Sequence, residues 1–148
     1  EGIILETMNS ISETRAALYA LQEINLPIYV SFFLKNGNHL GSGEKYNTVL
    51  SLLKEFSVEA VLINCSSIEI ISYAVDILVD NWSGVWGIYP NLGLGPASPD
   101  GIIKEFCSDE DFLLLLHKAI KMGAQIIGGC CGSSPDHIAL IKNKFVEI

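Results

Sequence analysis

Three of the four cysteines stand where chemistry can be done with them. Cys65 follows the apolar run Ala60-Val61-Leu62-Ile63 and Asn64, and Cys130-Cys131 follow Gln125-Ile126-Ile127 and the pair Gly128-Gly129. Any one of them, taken singly, has a plain reading as a small buried hydrophobe. Together they point to a metal site, because they end two apolar runs and the glycines remove side chains where the backbone must approach something closely. Thiolates are soft donors that select zinc among common cytosolic metals, and three protein ligands leave one tetrahedral position open. Three thiolates around Zn²⁺ leave a net charge of about −1, a poor activator of water that still binds and deprotonates an incoming thiol. Such a site suits alkylation of sulfur better than hydrolysis. The spacing is not that of a zinc finger, and Cys107, in a loop, reads as a bystander.

The elements that must position these residues alternate along the chain. Ile3-Ile4-Leu5, Ile28-Tyr29-Val30, Ala60-Val61-Leu62-Ile63, Val85-Trp86-Gly87-Ile88 and Gln125-Ile126-Ile127 are short continuous apolar runs. They suit strands buried on both faces of a parallel sheet. Helical spacing lies between them. A helix from about Ser10 to Ile24 opens with the capping-box pattern Ser10-Ile11-Ser12-Glu13 and carries Ala17, Leu18, Leu21 and Ile24 as its apolar stripe. A second uses Val49, Leu50, Leu53 and Phe56; a third Ile68, Ile71, Val75 and Leu78; a fourth Phe112, Leu115, Leu116, Ala119 and Ile120. The fifth starts at Ser134 with Pro135 in its first turn and continues through Ile138, Ile141 and Phe145.

The result is βα repeated five times in 148 residues, with a Gly- and Pro-rich loop from Asn91 to about Ser108. Two α/β architectures accommodate it: a complete doubly wound sheet, or the last five units of a (β/α)₈ TIM barrel of about 250 residues, its N-terminal part missing. In either, the loops after the strands share one face. Glu6-Thr7, Ser31, Asn64-Cys65, Tyr89-Pro90-Asn91 and Cys130-Cys131 therefore converge in space.

Composition narrows the partners. Hydrophobic residues make up 49% and charged residues 18%, which calls for a folded core. Nine Lys and Arg against seventeen Asp and Glu give a formal charge of −8 with no basic run, so nucleic acid and anionic membrane surfaces are not expected partners. No apolar run approaches the roughly 18 residues of a membrane span, and no charged segment precedes a hydrophobic stretch at the start. The chain reads as soluble and cytoplasmic. A disulfide framework is not expected in that setting, and adjacent cysteines are strained partners for each other.

Leu5-Glu6-Thr7-Met8, Val30-Ser31-Phe32, Ile63-Asn64-Cys65, Tyr89-Pro90-Asn91-Leu92-Gly93 and Gly128-Gly129-Cys130-Cys131-Gly132, followed by Pro135 and His137-Ile138, form an ordered set. That set resembles the homocysteine S-methyltransferase family across essentially the whole chain. The resemblance implies a zinc-dependent (β/α)₈ barrel that methylates homocysteine to methionine, as in betaine-homocysteine methyltransferases and the homocysteine module of cobalamin-dependent methionine synthases. By the same resemblance Cys65, Cys130 and Cys131 are the zinc ligands and Glu6 holds the substrate's amino group. Asn91 either fills the fourth zinc position when substrate is absent or serves as a loop-turn residue. Thr7 and Ser31 contribute hydroxyls or backbone donors to the amino acid, or are strand-end polar groups satisfied within the fold.

The expected mechanism is substitution at a methyl carbon by a zinc-held homocysteine thiolate, which needs no general base. S-methylmethionine or S-adenosylmethionine is the leading donor, since no cobalamin or folate module is seen; betaine and a cobalamin-bound methyl stay open. The family's first three strands and its glycine-rich acidic motif are not present, and Leu92 stands where Ala is common. An incomplete barrel of this kind is expected to expose strand edges and to associate with itself through them. The alternative from a different class is a noncatalytic half-barrel remnant. Gly93-Leu94-Gly95 followed by Pro96 does not complete a dinucleotide fingerprint. His117 and His137 read as helix residues of scaffold or surface and His39 as a loop residue, with no Ser-His-Asp arrangement.

Overall fold

Each apolar run forms a strand, and a helix comes after it before the next run begins. The computed structural model describes residues 1–94, 102–103 and 105–145. The order is β1 (Ile3–Met8), α1 (Ile11–Ala20), β2 (Ile28–Phe32), β3 (Leu34–Asn36), β4 (His39–Leu40), α2 (Tyr46–Leu53), β5 (Ala60–Ser67), α3 (Ile68–Asn81), β6 (Val85–Asn91), α4 (Asp109–Lys121), β7 (Ile126–Ile127) and α5 (Pro135–Phe145). Gly95 and Pro96, the residues at which the dinucleotide fingerprint fails, lie outside the described residues.

Strands β1, β2, β5, β6 and β7 form one parallel sheet in that spatial order. The order never reverses. Right-handed crossovers that always step in one direction place all their helices on the same side, so the sheet is singly wound and the doubly wound alternative is ruled out. β3 and β4 form a short antiparallel hairpin between β2 and α2 that no apolar run marks. His39, expected in a loop, belongs to it and contacts the Asn36 side chain at 3.0 Å.

Register divides the strand residues into two sets. Val30, Phe32, Val61, Ile63, Trp86 and Ile88 join Leu18, Leu50, Leu53, Ile71, Leu78, Phe112 and Leu116 in the core beneath the helices. Ile4, Glu6, Tyr29, Ser31, Leu62, Asn64, Gly87 and Tyr89 alternate with them and occupy the opposite face. The central strand β5 is buried on both faces, as its continuous apolar run suggests. Edge strand β1 is not: Ile4 is 49% exposed, so its apolar run behaves as an alternating one.

The helix ends follow local chemistry. Ser10 caps α1 by accepting from the Glu13 N–H at 3.1 Å, while the Glu13 carboxylate reaches one residue further than the standard box and accepts from Asn9 N–H at 2.9 Å. The expected extension of α1 to Ile24 does not occur. After Ala20 the chain tightens into i−3 bonds, including Gln22 N–H to Tyr19 and Ile24 N–H to Leu21, and Ile24 ends up exposed. Phe56 likewise lies beyond α2 but still packs edge-on against Tyr19, with ring centroids 5.3 Å apart. Ser108 caps α4, whose first turn carries Asp109, Glu110 and Asp111 and whose last carries Lys118 and Lys121, matching the helix dipole at both ends. On α5 only Ile141 of the expected stripe is fully buried, and Ile138 is exposed.

Candidate functional site

Two non-glycine residues with positive φ mark the ends of two strands: Thr7 at 59° and Cys65 at 52°. For a β-branched threonine this left-handed geometry is costly, and it persists only where the surroundings over-determine it. They do so at Thr7. Its N–H donates to Ser31 Oγ at 3.0 Å, its carbonyl accepts from Asn9 Nδ2 at 2.8 Å, and its Oγ1 accepts from Asn64 Nδ2 at 2.8 Å. Both residues coincide with breaks in ladder register, between Leu5 and Met8 in β1 and between Asn64 and Ser67 in β5. Such breaks re-aim the strand-end side chains. Buried Ser66 then anchors the β3 strand beside Cys65, accepting from Leu34 N–H at 2.9 Å.

Cys130 and Cys131 arrive from β7. Cys130 N–H donates to the Pro90 carbonyl at 2.8 Å and Leu92 N–H to the Cys131 carbonyl at 2.9 Å, which fastens the turn across the end of β6. A side chain at Gly129 would bring a Cβ to 2.7 Å from that of Ser133, so the close approach read from the sequence is real there. At Gly128 the neighbour, Tyr89, is at an ordinary 3.4 Å. Gly132 closes the turn at φ 79°.

The ligand atoms of Cys65, Cys130 and Cys131 all lie within 4.8 Å of one another. Cys131 Sγ is 3.6 Å from Cys65 Sγ and 4.0 Å from Cys130 Sγ. The Cys65 and Cys130 sulfurs are in direct contact, with Cα atoms 5.7 Å apart, residues of two strand ends brought together over the end of β6. As thiolates the same three sulfurs would be a convergent soft donor set with one coordination position to spare, which fits zinc. Cys107 stands outside the cluster, and burial, followed by the nearby Asp111 carboxylate, pushes its thiol pKa up, as befits an inert thiol.

A polar group spans the neighbouring strand ends on the face away from the helices. Glu6 is exposed; Ser31 and Asn64 are fully buried; Thr7 and Tyr89 are half-buried. Tyr89 Oη lies 2.7 Å from Ser31 Oγ and 3.2 Å from Glu6 Oε1. Burial first, with Glu6 adding to it against the Ser31 hydrogen bond, pushes the phenol pKa up to about 12. Asn64 Oδ1 is buried without a partner among the described residues. The structure thus brings Glu6, Thr7 and Ser31 together and adds Asn64 and Tyr89, to which the sequence reading assigned no role. Their signal was available: each is a polar residue at the C-terminal end of an apolar strand, at the position that alternation turns away from the helices. Asn91 Oδ1 accepts from Gly93 N–H at 2.8 Å, the arrangement of a loop-turn residue.

Ser134, His137 and Asp109 do line up, contrary to expectation: Ser134 Oγ is 3.0 Å from His137 Nδ1, and His137 Nε2 is 3.6 Å from Asp109 Oδ1. The alignment is a helix cap. Nδ1 also accepts from the Ser134 backbone N–H at 3.0 Å, as the carboxylate of a capping box would, so the lone pair that a catalytic base needs is engaged by an amide. His117 lies on α4 against Phe145, with ring centroids 6.3 Å apart. A cavity of about 960 Å³ lies elsewhere, between α3 and α4, with Tyr73, Cys107, Leu115 and Lys118 among its walls. No helix among the described residues is long and apolar enough to cross a membrane.

Comparison with known proteins agrees with this geometry. A family model described as homocysteine S-methyltransferase matches residues 1–145. A homocysteine S-methyltransferase from Zea mays is 33% identical over 147 residues, covering 94% of this chain and 43% of the relative. A selenocysteine methyltransferase from Astragalus bisulcatus is 31% identical over 144 residues, covering 92% of this chain and 42% of the relative. The crystal structure of the metallated form of the homocysteine methyltransferase MmuM from Escherichia coli superposes with a TM-score of 0.78 at 27% identity, over 97% of this chain and 44% of that one. The chain therefore spans under half the length of the relatives it matches.

Proposed function

The chain belongs to the homocysteine S-methyltransferase family, and from that membership we propose that its protein transfers a methyl group to the thiol of homocysteine, giving methionine. The single observation that carries this reading is the convergence of three cysteine sulfurs from two strand ends beside the carboxylate-bearing end of β1. In this reading Cys65, Cys130 and Cys131 would hold zinc as thiolates, the reduced state that a cytoplasmic compartment favours. When bound, zinc keeps a substrate thiol ionised at neutral pH.

Glu6 accepts the substrate ammonium, since an ionised carboxylate suits a cation, and Thr7 and Ser31 build the same pocket from the strand ends. Asn91 would fill the fourth zinc position in the absence of substrate, as the family resemblance implies, only by giving up the hydrogen bond it accepts from Gly93 N–H. The thiolate then forms a bond to the methyl carbon as the donor's bond to that carbon breaks. A sulfonium such as S-methylmethionine or S-adenosylmethionine suits this step because it departs as a neutral sulfide and asks for no acid. Betaine and a cobalamin-bound methyl are the competing donors.

The fold proposed for the whole protein is a (β/α)₈ barrel of which these five βα units are a part. Strands β1 and β7 are the edges of the sheet, with backbone groups that further barrel strands would pair. In the isolated chain the same edges offer a route to self-association. A noncatalytic remnant would keep the cysteine cluster and transfer nothing.

Reduced protein should take up one zinc per chain, and replacing Cys65, Cys130 and Cys131 together by Ser should abolish uptake; stoichiometric zinc in the triple variant would overturn the metal assignment. Isotopic methyl transfer from a panel of donors in the full-length protein should label sulfur, and transfer to water or amines alone would overturn the reaction.

A further inference from the structure

Glu6 has no basic side chain within ion-pair distance among the described residues, although it is exposed and rotatable. Its one protein partner there is Tyr89, through Oε1, and Oε2 is left for a cation. A carboxylate that must meet an ammonium with a defined direction needs something to hold it, because freezing a long side chain costs conformational entropy at the moment of binding.

Proton counting supplies that support. An ionised carboxylate can only accept, a hydroxyl carries one proton, and a backbone N–H can only donate. Thr7 N–H lies 3.0 Å from Ser31 Oγ, Ser31 Oγ 2.7 Å from Tyr89 Oη, and Tyr89 Oη 3.2 Å from Glu6 Oε1. If the phenol spends its proton on Glu6, the Ser31 proton fills the 2.7 Å contact, and each hydroxyl donates once and accepts once. If the phenol donates to Ser31 instead, its oxygen faces the carboxylate with no proton between them, and the Ser31 proton, in a fully buried position, finds no other acceptor among the described residues. A saturated chain of this kind polarises from one member to the next.

Resting on the assignment of Glu6 to the substrate ammonium, we propose that Tyr89 is a positioning residue that orients the Glu6 carboxylate through a hydroxyl relay running from Thr7 N–H through Ser31. Tyr89 is suited to it in a further way. Its strand continues into Pro90, whose carbonyl holds Cys130 N–H at 2.8 Å, so the amino-acid end of the site and the sulfur end are spaced by one rigid element. Ser31 acts on Glu6 through Tyr89.

The test uses zinc-loaded full-length protein and two ligands, L-homocysteine and 4-mercaptobutyrate, which keeps the thiol and carboxylate but lacks the ammonium. Loss of one hydrogen bond's orientation should weaken homocysteine binding roughly three- to tenfold in Tyr89→Phe, leaving 4-mercaptobutyrate within about twofold and zinc content unchanged. Ser31→Ala should act in the same direction, and the double variant should add little to Tyr89→Phe alone. Glu6→Gln separates the two levels of the argument. If it weakens homocysteine while Tyr89→Phe does not, or if Tyr89→Phe weakens both ligands equally, the relay is overturned and Glu6 keeps its role. If Glu6→Gln leaves homocysteine binding untouched, the ammonium assignment fails and the relay with it.

Discussion

The two faces of the five-stranded sheet are built from alternate residues of the same strands, yet they do different work. Toward the helices, Val30, Phe32, Val61, Ile63 and Ile88 are fully buried in a continuous apolar core. On the other face the strand ends carry Glu6, Ser31, Asn64 and Tyr89, joined by hydrogen bonds, and the edge residue Ile4 lies open. One face supplies stability by area. The other holds polar groups in place by direction, which needs the first to be rigid. Strain is concentrated accordingly: among the described residues the non-glycine positions with positive φ are Thr7 and Cys65, at strand ends where the polar groups and sulfurs gather, and none is in the helix-facing core.

Substitutions on each face put the contrast at risk. The largest effect belongs to the helix side: Ile63→Ala should lower unfolding free energy by about 2–5 kcal/mol, because the close-packed surroundings refill the space poorly. Chemical denaturation measures it, and a loss below about 1 kcal/mol would show that this core is not close-packed. An intermediate effect is expected at Gly87 on the opposite face. A Cβ there would collide with the Ile126 carbonyl oxygen of β7, so Gly87→Ala should cost about 1–3 kcal/mol by pushing the edge strand away. Since β7 leads into Cys130-Cys131, zinc uptake by the reduced variant should weaken as well; unchanged stability and uptake would mean that β7 is free to shift.

The smallest effect should come from Ile4→Thr, which keeps β-branching at a site that is 49% exposed: a change within about 0.5 kcal/mol. In a protein with the remaining barrel strands present the same substitution should cost more, because those strands would cover this face. Comparing the two lengths by denaturation therefore reads out how much of the open face is closed by the rest of the molecule.

Much of this was legible in the residues. Apolar runs of strand length, capping residues such as Ser10 and Ser108, and Pro135 in a first turn are local signals, and the elements they imply are present within a few residues. The sheet-facing stripes of α3 and α4 were legible for the same reason: Ile71, Val75 and Leu78, and Phe112, Leu115 and Leu116, repeat with the helix period. The early end of α1 was not, because nothing apolar is missing after Ala20 and only the tightening of the turn before β2 ends it.

The sequence by itself determined that five βα units would be made and that Glu6, Ser31, Cys65 and Cys130-Cys131 would sit at the ends of their strands, since strand and helix periods are properties of neighbouring residues. Only the tertiary structure decided between the singly and doubly wound sheets, because a parallel strand carries no mark of which neighbour it pairs with. It also decided the approach of Cys65 to Cys130 across a separation of 65 residues, the positive φ at Thr7 and Cys65, and the contact of Tyr89 with Ser31 and Glu6. These arise where ladder register breaks at strand ends, and a break is set by lateral contacts between distant segments, which local periodicity does not encode.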